Sequence, residues 1–188
     1  MTYRKLTDDE IALLEDNNCR AEDWESVNVS DDFNPAYLCD VVFYGEINLG
    51  YFDRNIEVSP GFLKHSGIYR ATLRNVTVGD NCLIEHVNNY VNNYTIGDNC
   101  YISNIATLET SEGATYGQGN IISAGSPSGE SNIMLFTRLS SQLAALMMKY
   151  SHDKELRETL RNLVREDIDA QQPERGIIGE GVKIVNTG

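Results

Sequence analysis

The sequence predicts a mainly β protein with some α-helix, in which short parallel strands stack as a β-helix of hexapeptide coils. Three observations predict this class. The octapeptide TVGDNCLI at residues 77–84 returns as TIGDNCYI at 95–102, eighteen residues later. A residue of one kind recurs every six positions from 78 to 114, and after residue 138 the apolar spacing becomes helical. Spacing by six fits neither a helix nor an alternating strand, whereas three hexapeptides make one eighteen-residue coil.

An N-terminal helix and lead-in are predicted over residues 1–40. Residues 7–10, TDDE, form a capping box before an apolar run, so we expect a helix of about eight to eleven residues. The coils are predicted over 41–130. Early hexads around Val41 and Ile47 are irregular. Residues 55–71 interrupt the six-residue spacing, which resumes at residue 72.

The regular hexads repeat one aliphatic position, which includes a single aromatic residue: Val78, Ile84, Tyr90, Ile96, Ile102, Leu108 and Ala114. The repeat after eighteen residues places Val78 beneath Ile96, and Ile84 beneath Ile102, one coil apart. Gly79 and Gly97 follow this position, where we expect a tight corner that has no room for a Cβ atom. Asn81 and Asn99 lie where a left-handed backbone is expected, because asparagine tolerates it better than most residues.

Two of the four cysteines share an inward-pointing position of the hexad. Cys82 and Cys100 should stack about 4.8 Å apart, a separation within reach of a disulfide. No CxxC pair or metal-ligand spacing is present, so free thiols are expected. We therefore predict two small, buried, reduced side chains, with a redox or metal role as the alternative.

A helical hairpin is predicted as an insertion over 131–172. Gly- and Ser-rich residues 113–132 should form a flexible loop before it. Ser151 is placed to cap the second helix. The two apolar helical faces are Leu139, Leu143, Leu146, Met147 and Tyr150, followed by Leu156, Leu160, Leu163, Val164 and Ile168.

A hexapeptide coil returns over 173–188, so the helices are expected to interrupt or cap the coils. The sequence ends part-way through a hexad, which favours a fragment of a longer protein unless a partner covers the last coil.

Composition excludes several partners. The net charge of −13 over 188 residues argues against nucleic acid and anionic membranes, because both attract basic surfaces. Neither a signal peptide nor an apolar stretch of membrane-spanning length is present in the sequence. The sequence therefore predicts a cytoplasmic protein.

Residues 72–125 resemble the left-handed β-helix of hexapeptide-repeat proteins, the superfamily of trimeric acyltransferases and of the C-terminal domains of some sugar nucleotidyltransferases. The left hand follows from this resemblance alone, since parallel crossovers are generally right-handed. The whole chain is similar to the N-terminal part of a longer uncharacterised bacterial hexapeptide-repeat family without an established activity. The motifs that carry this similarity are LTDDEIALLEDNNC, KHSGIY, NVTVGDNCLIE and GIIGEGVKIVNTG.

The resemblance implies a homo-oligomer, with a trimer favoured, and a small-molecule substrate. The implied activity is transferase-like, either acyl transfer from an acyl-CoA substrate or a reaction of sugar-nucleotide metabolism; no cofactor is assigned. The alternative is a non-catalytic scaffold or interaction module. An acyltransferase of this kind needs a histidine as general base.

His86 and His65 are the candidate bases, and an ordinary surface histidine is the alternative for each. His86 occupies the third hexad position beside Glu85 and should face outward. His65 lies in the irregular lead-in, and His152 is expected to be solvated at the start of a helix. The three histidines lack the spacing of a zinc site, so no metal is predicted. Tyr116–Gly119 and Gly125–Gly129 lack the lysine and the strand-to-helix setting of a nucleotide loop.

Overall fold

The computed structural model describes residues 2–111, 114–115, 117–123, 132–171 and 175–187. It is mainly β. The helices are α1 Asp8–Asp16, α2 Ser141–Lys149 and α3 Lys154–Gln171, with 3-10 turns at Trp24–Ser26 and Pro35–Tyr37. The strands are β1 Arg4–Lys5, β2 Arg20–Ala21, β3 Val27–Val29, β4 Leu38–Leu49, β5 Asn55–Ser59, β6 Phe62–His65, β7 Gly67–Val78, β8 Leu83–Ile96, β9 Tyr101–Glu109, β10 Ile121–Ser123, β11 Asn132–Met134, β12 Gly176–Ile178 and β13 Lys183–Thr187.

The chain divides into two compact units. The strand unit comprises residues 1–111 together with 175–188, and the helical unit comprises residues 112–174. None of the helices in the described part of the chain is long and apolar enough to cross a membrane.

A mixed sheet with mostly parallel pairing builds the strand unit. Its strand order is β1-β3-β4-β7-β8-β9-β13, with β2 paired to β4 and β12 to β8. Only the β1–β3 pair among these described strands is antiparallel. Val78 pairs with Ile96, and Ile84 pairs with Ile102, which confirms the stacking predicted from the repeat. After the helical unit, Ile178 pairs with Ile96 and the parallel stack resumes.

The core of the strand unit is a run of aliphatic side chains stacked from strand to strand. Val78, Ile84 and Ile102 are completely buried, as are Cys82 and Cys100. Each buried side chain lies against its counterpart on the neighbouring strand, because parallel in-register pairing brings equivalent residues together. Burial of this apolar surface is the main favourable contribution to folding.

Tyr90 departs from the six-residue pattern. It is 37% exposed, and the next residue, Val91, is completely buried in its place. The register shifts here, since three steps along β8 from Val87 to Tyr90 match two steps along β9 from Ile105 to Thr107. One extra residue exchanges the inward and outward faces of a strand, which is why the spacing by six fails at this point.

Left-handed residues recur at equivalent places on successive strands. One series has φ between 52° and 56° and follows residues that are paired across the sheet: Asp40, Arg70, His86, Asn104 and Asn186. A second series contains Gly45, Asn75 and Asn93. Asn81 and Asn99, with φ of 55° and 58°, belong to a third series with Gly181 and confirm the predicted left-handed positions.

The predicted corner glycines lie in close backbone contacts. A Cβ atom on Gly79 would lie 2.4 Å from Asp98 Oδ1 and 2.8 Å from the Asp98 nitrogen. A Cβ on Gly97 would approach the Glu180 nitrogen to 2.8 Å. Any side chain at either position would therefore displace the neighbouring turn.

The N-terminal helix has the predicted length and cap. Thr7 Oγ1 accepts a hydrogen bond from the Glu10 nitrogen at 3.3 Å, and Glu10 Oε2 accepts one from the Thr7 nitrogen at 2.9 Å. This reciprocal pair is a capping box, and α1 runs for nine residues behind it. The frame break predicted at 55–71 contains the antiparallel β5–β6 hairpin.

The helical unit differs from the sequence prediction in three details. Asp153 caps α3 by accepting a hydrogen bond from the Leu156 nitrogen at 3.1 Å, so the prediction of Ser151 as the cap was wrong. Leu146 and Leu163 are 39% and 56% exposed, so both lie off the buried face. The predicted loop over 113–132 was wrong in part, because β10 pairs with β11 there; residues 124–131 lie outside the described residues.

Candidate functional site

A buried carboxylate, Glu85 on β8, is the centre of a polar cluster in the strand unit. Its side chain is only 8% exposed. Lys64 Nζ lies 2.9 Å from both carboxylate oxygens. Tyr101 Oη and Ser103 Oγ each donate a hydrogen bond to Oε1, at 3.1 Å and 3.2 Å. We call these four residues the Glu85 cluster.

Two separate parts of the chain supply the partners of Glu85. Tyr101 and Ser103 come from β9, where the parallel register pairs Ser103 directly with Glu85. Lys64 comes from β6 of the hairpin that interrupts the regular strands. The hairpin therefore closes over the sheet at the position of the carboxylate.

The cluster keeps Glu85 ionised. Burial raises the pKa of its carboxyl group, but the hydrogen bonds from Lys64 and Tyr101, together with the lysine charge, outweigh burial and hold the pKa below its usual value. A buried carboxylate that is paired and hydrogen bonded avoids most of the cost of desolvation. Glu85 is thus a fixed negative charge at neutral pH.

His86 lies on the solvent side of this carboxylate. The side chain is 49% exposed, and Nδ1 is 4.0 Å from Glu85 Oε2. Its backbone is left-handed, with φ of 55°, which turns the chain outward immediately after the buried Glu85. The structure thus brings the candidate base His86 next to a carboxylate that sequence reasoning had not assigned to it.

His65 neighbours Lys64 on β6 but faces a different group. Its ring stacks on Tyr37, with centroids 4.0 Å apart and planes inclined by 16°. Nδ1 lies 2.8 Å from the Ser66 carbonyl oxygen, which can only accept, so Nδ1 carries the proton. With Nδ1 as the donor, His65 would have to act as a base through Nε2. His152 belongs to the helical unit, where it is exposed before α3.

Sequence reasoning missed Lys64, Glu85, Tyr101 and Ser103 as one cluster. The eighteen-residue offset would have paired Glu85 with Ser103, so part of the signal was present. Lys64 lies outside the repeating frame, and its partner depends on how the hairpin folds back. The structure therefore adds residues that periodicity alone does not assign.

The four cysteines are free thiols. Cys82 Sγ donates to the Gly97 carbonyl oxygen at 3.0 Å, and Cys100 Sγ donates to that of Gly179 at 3.1 Å. The neighbouring Cys100 and burial raise the pKa of Cys82. Within the described ranges, no group of three or more His, Cys, Asp or Glu side chains is arranged to hold a metal ion.

Fold and site together define a mainly β domain with stacked parallel strands and a buried, anchored carboxylate. The chain belongs to the family described as a domain of unknown function (DUF4954), whose model matches residues 3–188. It is also 30% identical, over 119 residues, to a protein of Treponema pallidum (strain Nichols) described as an uncharacterized protein. That match covers 63% of this chain and 16% of the treponemal protein. No solved structure matches the chain significantly.

Proposed function

We propose that the strand unit is a left-handed β-helix of the hexapeptide-repeat type and that the protein is transferase-like, with an acyl-CoA as its substrate. Three features support the fold proposal. Parallel neighbours are offset by eighteen residues at Val78 and Ile96. The left-handed residues form three series, which is the number that a three-sided coil with three corners would need. Asparagine and glycine fill the second and third series, as such corners require.

The half-exposed imidazole of His86 beside the buried Glu85 carboxylate carries the functional proposal. A histidine has a pKa near neutrality and can take a proton from an attacking amine or hydroxyl. The Glu85 carboxylate, 4.0 Å from Nδ1, lies beyond hydrogen-bond distance, but its negative charge stabilises the imidazolium that forms when the ring takes a proton. Because Lys64, Tyr101 and Ser103 hold Glu85 in place, its charge is fixed before a substrate arrives.

The proposal includes a homotrimer with a substrate cleft between subunits. His86 lies at a left-handed position and is open to solvent, so a second copy can approach it. A reaction of sugar-nucleotide metabolism is the related possibility within the same transferase class. A cytoplasmic location fits four free cysteines, since disulfides are rare in that reducing compartment.

Calorimetry with acetyl-CoA, succinyl-CoA and free CoA tests the substrate proposal, on protein whose solution mass has been measured by light scattering. We expect saturable binding of at least one of these compounds by a trimer. Absence of binding by all three would overturn the acyl-CoA assignment. A monomer would contradict the shared cleft.

Turnover tests the role of His86. We expect His86→Gln to lower acceptor-dependent release of CoA by about 10²- to 10⁴-fold, the usual contribution of a general base, with CoA affinity retained. His152→Gln is the matched control, because it makes the same change at an exposed histidine of the helical unit. Full activity in His86→Gln would end the proposal for His86, and His65→Gln then tests the other candidate.

A non-catalytic scaffold is the second candidate function. Tyr101 and Ser103 hold the Glu85 carboxylate in place, and its contact with Lys64 fastens the β5–β6 hairpin to the sheet without any catalytic role. The hairpin also exposes Phe62 and Leu63. If Glu85→Gln lowers stability and none of the CoA compounds binds, the cluster is better explained as the anchor of a surface that contacts another protein.

A further inference from the structure

An open polar cleft of about 360 Å³ lies on the strand unit, on a set of residues separate from the Glu85 cluster. Its floor crosses four adjacent strands, β4, β7, β8 and β9. The parallel register sets Tyr44 beside Arg74, Arg74 beside Asn92, and Asn92 beside Glu109. Tyr90, Thr72 and Glu22 complete the lining.

Two tyrosines lie on the strands that flank β7, the strand that carries Arg74. Tyr44 on β4 is 41% exposed and Tyr90 on β8 is 37% exposed, so both side chains are open to solvent. Their strands are separated by β7 and the two positions are offset by two residues along the strands, which places them about 12 Å apart. The rings give the cleft flat apolar surfaces that carry polar hydroxyl groups.

Hydrogen bonds hold the polar wall of the cleft in place. Glu109 accepts hydrogen bonds from Tyr90 Oη at 3.1 Å and from Asn92 Nδ2 at 2.9 Å. By contrast, the Arg74 side chain forms neither a hydrogen bond nor an ion pair with the described residues, although its charge counteracts the raised pKa of Tyr90. Its guanidinium is exposed and offers five donors in a fixed plane. The cleft thus combines a fixed acceptor, two ring faces and an uncommitted donor.

We propose that this cleft binds a short neutral oligosaccharide, with sugar rings against Tyr44 and Tyr90 and hydroxyl groups hydrogen bonded to Arg74 and Glu109. A sugar hydroxyl both donates and accepts, so adjacent hydroxyls match the arginine donors and the carboxylate acceptors at once. The distance between the tyrosines suits two or three linked sugar rings. An open cleft suits a chain that extends into solvent at both ends.

The charges of the cleft argue against anionic ligands. Glu22 and Glu109 outnumber Arg74 in the lining, so the cleft carries an excess of negative charge that would repel a phosphate or a carboxylate. The chain as a whole has a net charge of −13, which opposes polyanions further. A neutral polyol avoids both penalties.

Saturation-transfer NMR on the full chain tests the proposal with cellotetraose, maltotetraose and xylotetraose as neutral probes. Digalacturonic acid and chitosan dimer serve as anionic and cationic counterparts. We expect transfer from tyrosine ring protons to at least one neutral probe and weaker binding of the anionic probe. Absence of transfer to all three neutral probes, or tighter binding of a charged probe, would overturn the proposal.

Two arginines on the same strand provide the matched variants. Arg74→Gln should weaken binding of the neutral probe by about tenfold, because it removes a charged hydrogen-bond donor from the cleft. Arg70→Gln makes the same change at an exposed residue outside the cleft and should leave binding as in the wild type. Equal binding by both variants would overturn the site assignment. Since Arg74 is exposed, circular dichroism should show both variants folded.

This site stands independently of the proposed transferase activity. CoA binding is measured with different ligands, and the cleft shares no residue with the Glu85 cluster. A protein that binds CoA but no oligosaccharide would overturn this inference alone.

Discussion

The strand unit and the helical unit bury their apolar side chains in different ways. In the strand unit, successive parallel strands bring like residues into one continuous buried cluster. In the described part of the helical unit, the cluster of buried residues contains Met134, Val164 and Ile168, with Phe136 and Met147 packed at its edge. The strand unit thus has a large shared core, and the helical unit has a small local one.

The two kinds of core predict different sensitivities to substitution. A stacked residue such as Ile84 contacts equivalent positions on the strands to both sides, so one change disturbs several pairs. A helix residue contacts its partners through one apolar stripe. We therefore expect large effects of core substitutions in the strand unit and moderate ones in the helical unit.

The largest effect is expected for Ile84→Ala. The residue is completely buried in the stack, and its truncation should lower the free energy of unfolding by about 2–5 kcal/mol. Urea unfolding followed by fluorescence measures this, because Trp24, the only tryptophan, lies in the strand unit with its ring 6.2 Å from that of Phe43. Leu63→Ala, at an exposed position, is the control and should change stability little. A similar loss in both variants would contradict the shared-core explanation.

The second largest effect is expected at a residue with a left-handed backbone conformation. Asn81 has φ of 55°, and its Oδ1 accepts a hydrogen bond from the Asp53 nitrogen at 3.0 Å. Asn81→Ala should cost about 2 kcal/mol, since it adds backbone strain and removes an acceptor. Asn81→Gly removes the same acceptor without the strain and should cost less. If the alanine variant were as stable as the glycine variant in urea, backbone strain would not contribute.

Val164→Ala should have a moderate effect, confined to the helical unit. It removes two methyl groups from a small core, which should lower stability by about 1–2 kcal/mol. The measurement is urea unfolding followed by circular dichroism at the helix band, with Leu163→Ala as the exposed neighbour. The fluorescence transition of Trp24 should stay in place. A shift in that transition would mean that the two units unfold together.

Sequence reasoning was strongest where the chain repeats itself. The stacking of Val78 on Ile96 and the left-handed Asn81 and Asn99 could be predicted, because a repeated octapeptide indicates a repeated backbone. Tyr90 could not be placed correctly, since one extra residue in β8 exchanges its face with that of Val91. The six-residue spacing predicts which residues face inward in a regular strand, but it does not reveal where a strand contains a bulge.

Contacts between the repeat and its interruptions were beyond prediction. His86 was expected to face outward beside Glu85, but the burial of that carboxylate depends on Lys64 from a hairpin outside the frame. Likewise, the choice of Asp153 over Ser151 as a helix cap depends on where the turn before α3 begins. The Lys64 contact depends on tertiary structure, and the helix cap depends on the geometry of one turn. Neither is determined by the spacing of apolar residues along the sequence.

The smallest effect concerns one ion pair in each unit and depends on pH. In the strand unit, Arg4 donates two hydrogen bonds to Glu10, at 2.8 Å and 2.7 Å. In the helical unit, Arg138 Nη1 lies 3.3 Å from Asp167, and the arginine is mostly exposed. Since exposed pairs contribute little, Arg138→Gln should change stability by less than about 0.5 kcal/mol.

The hydrogen bond from Arg4 lowers the pKa of Glu10 from 4.5 to about 2 in the folded protein. The folded-state pKa is depressed, so the stabilisation is complete above about pH 4.5 and is lost as the pH falls towards 2. Glu10→Gln should therefore be less stable than the wild type by about 1 kcal/mol at pH 7, with the difference shrinking across this window. Urea midpoints at pH 7, 4.5, 3 and 2 measure it. A difference that stayed constant down to pH 2 would mean that Glu10 stabilises α1 through the neutral hydrogen bonds of its capping box, which Gln retains only in part, and not through the charge of Arg4.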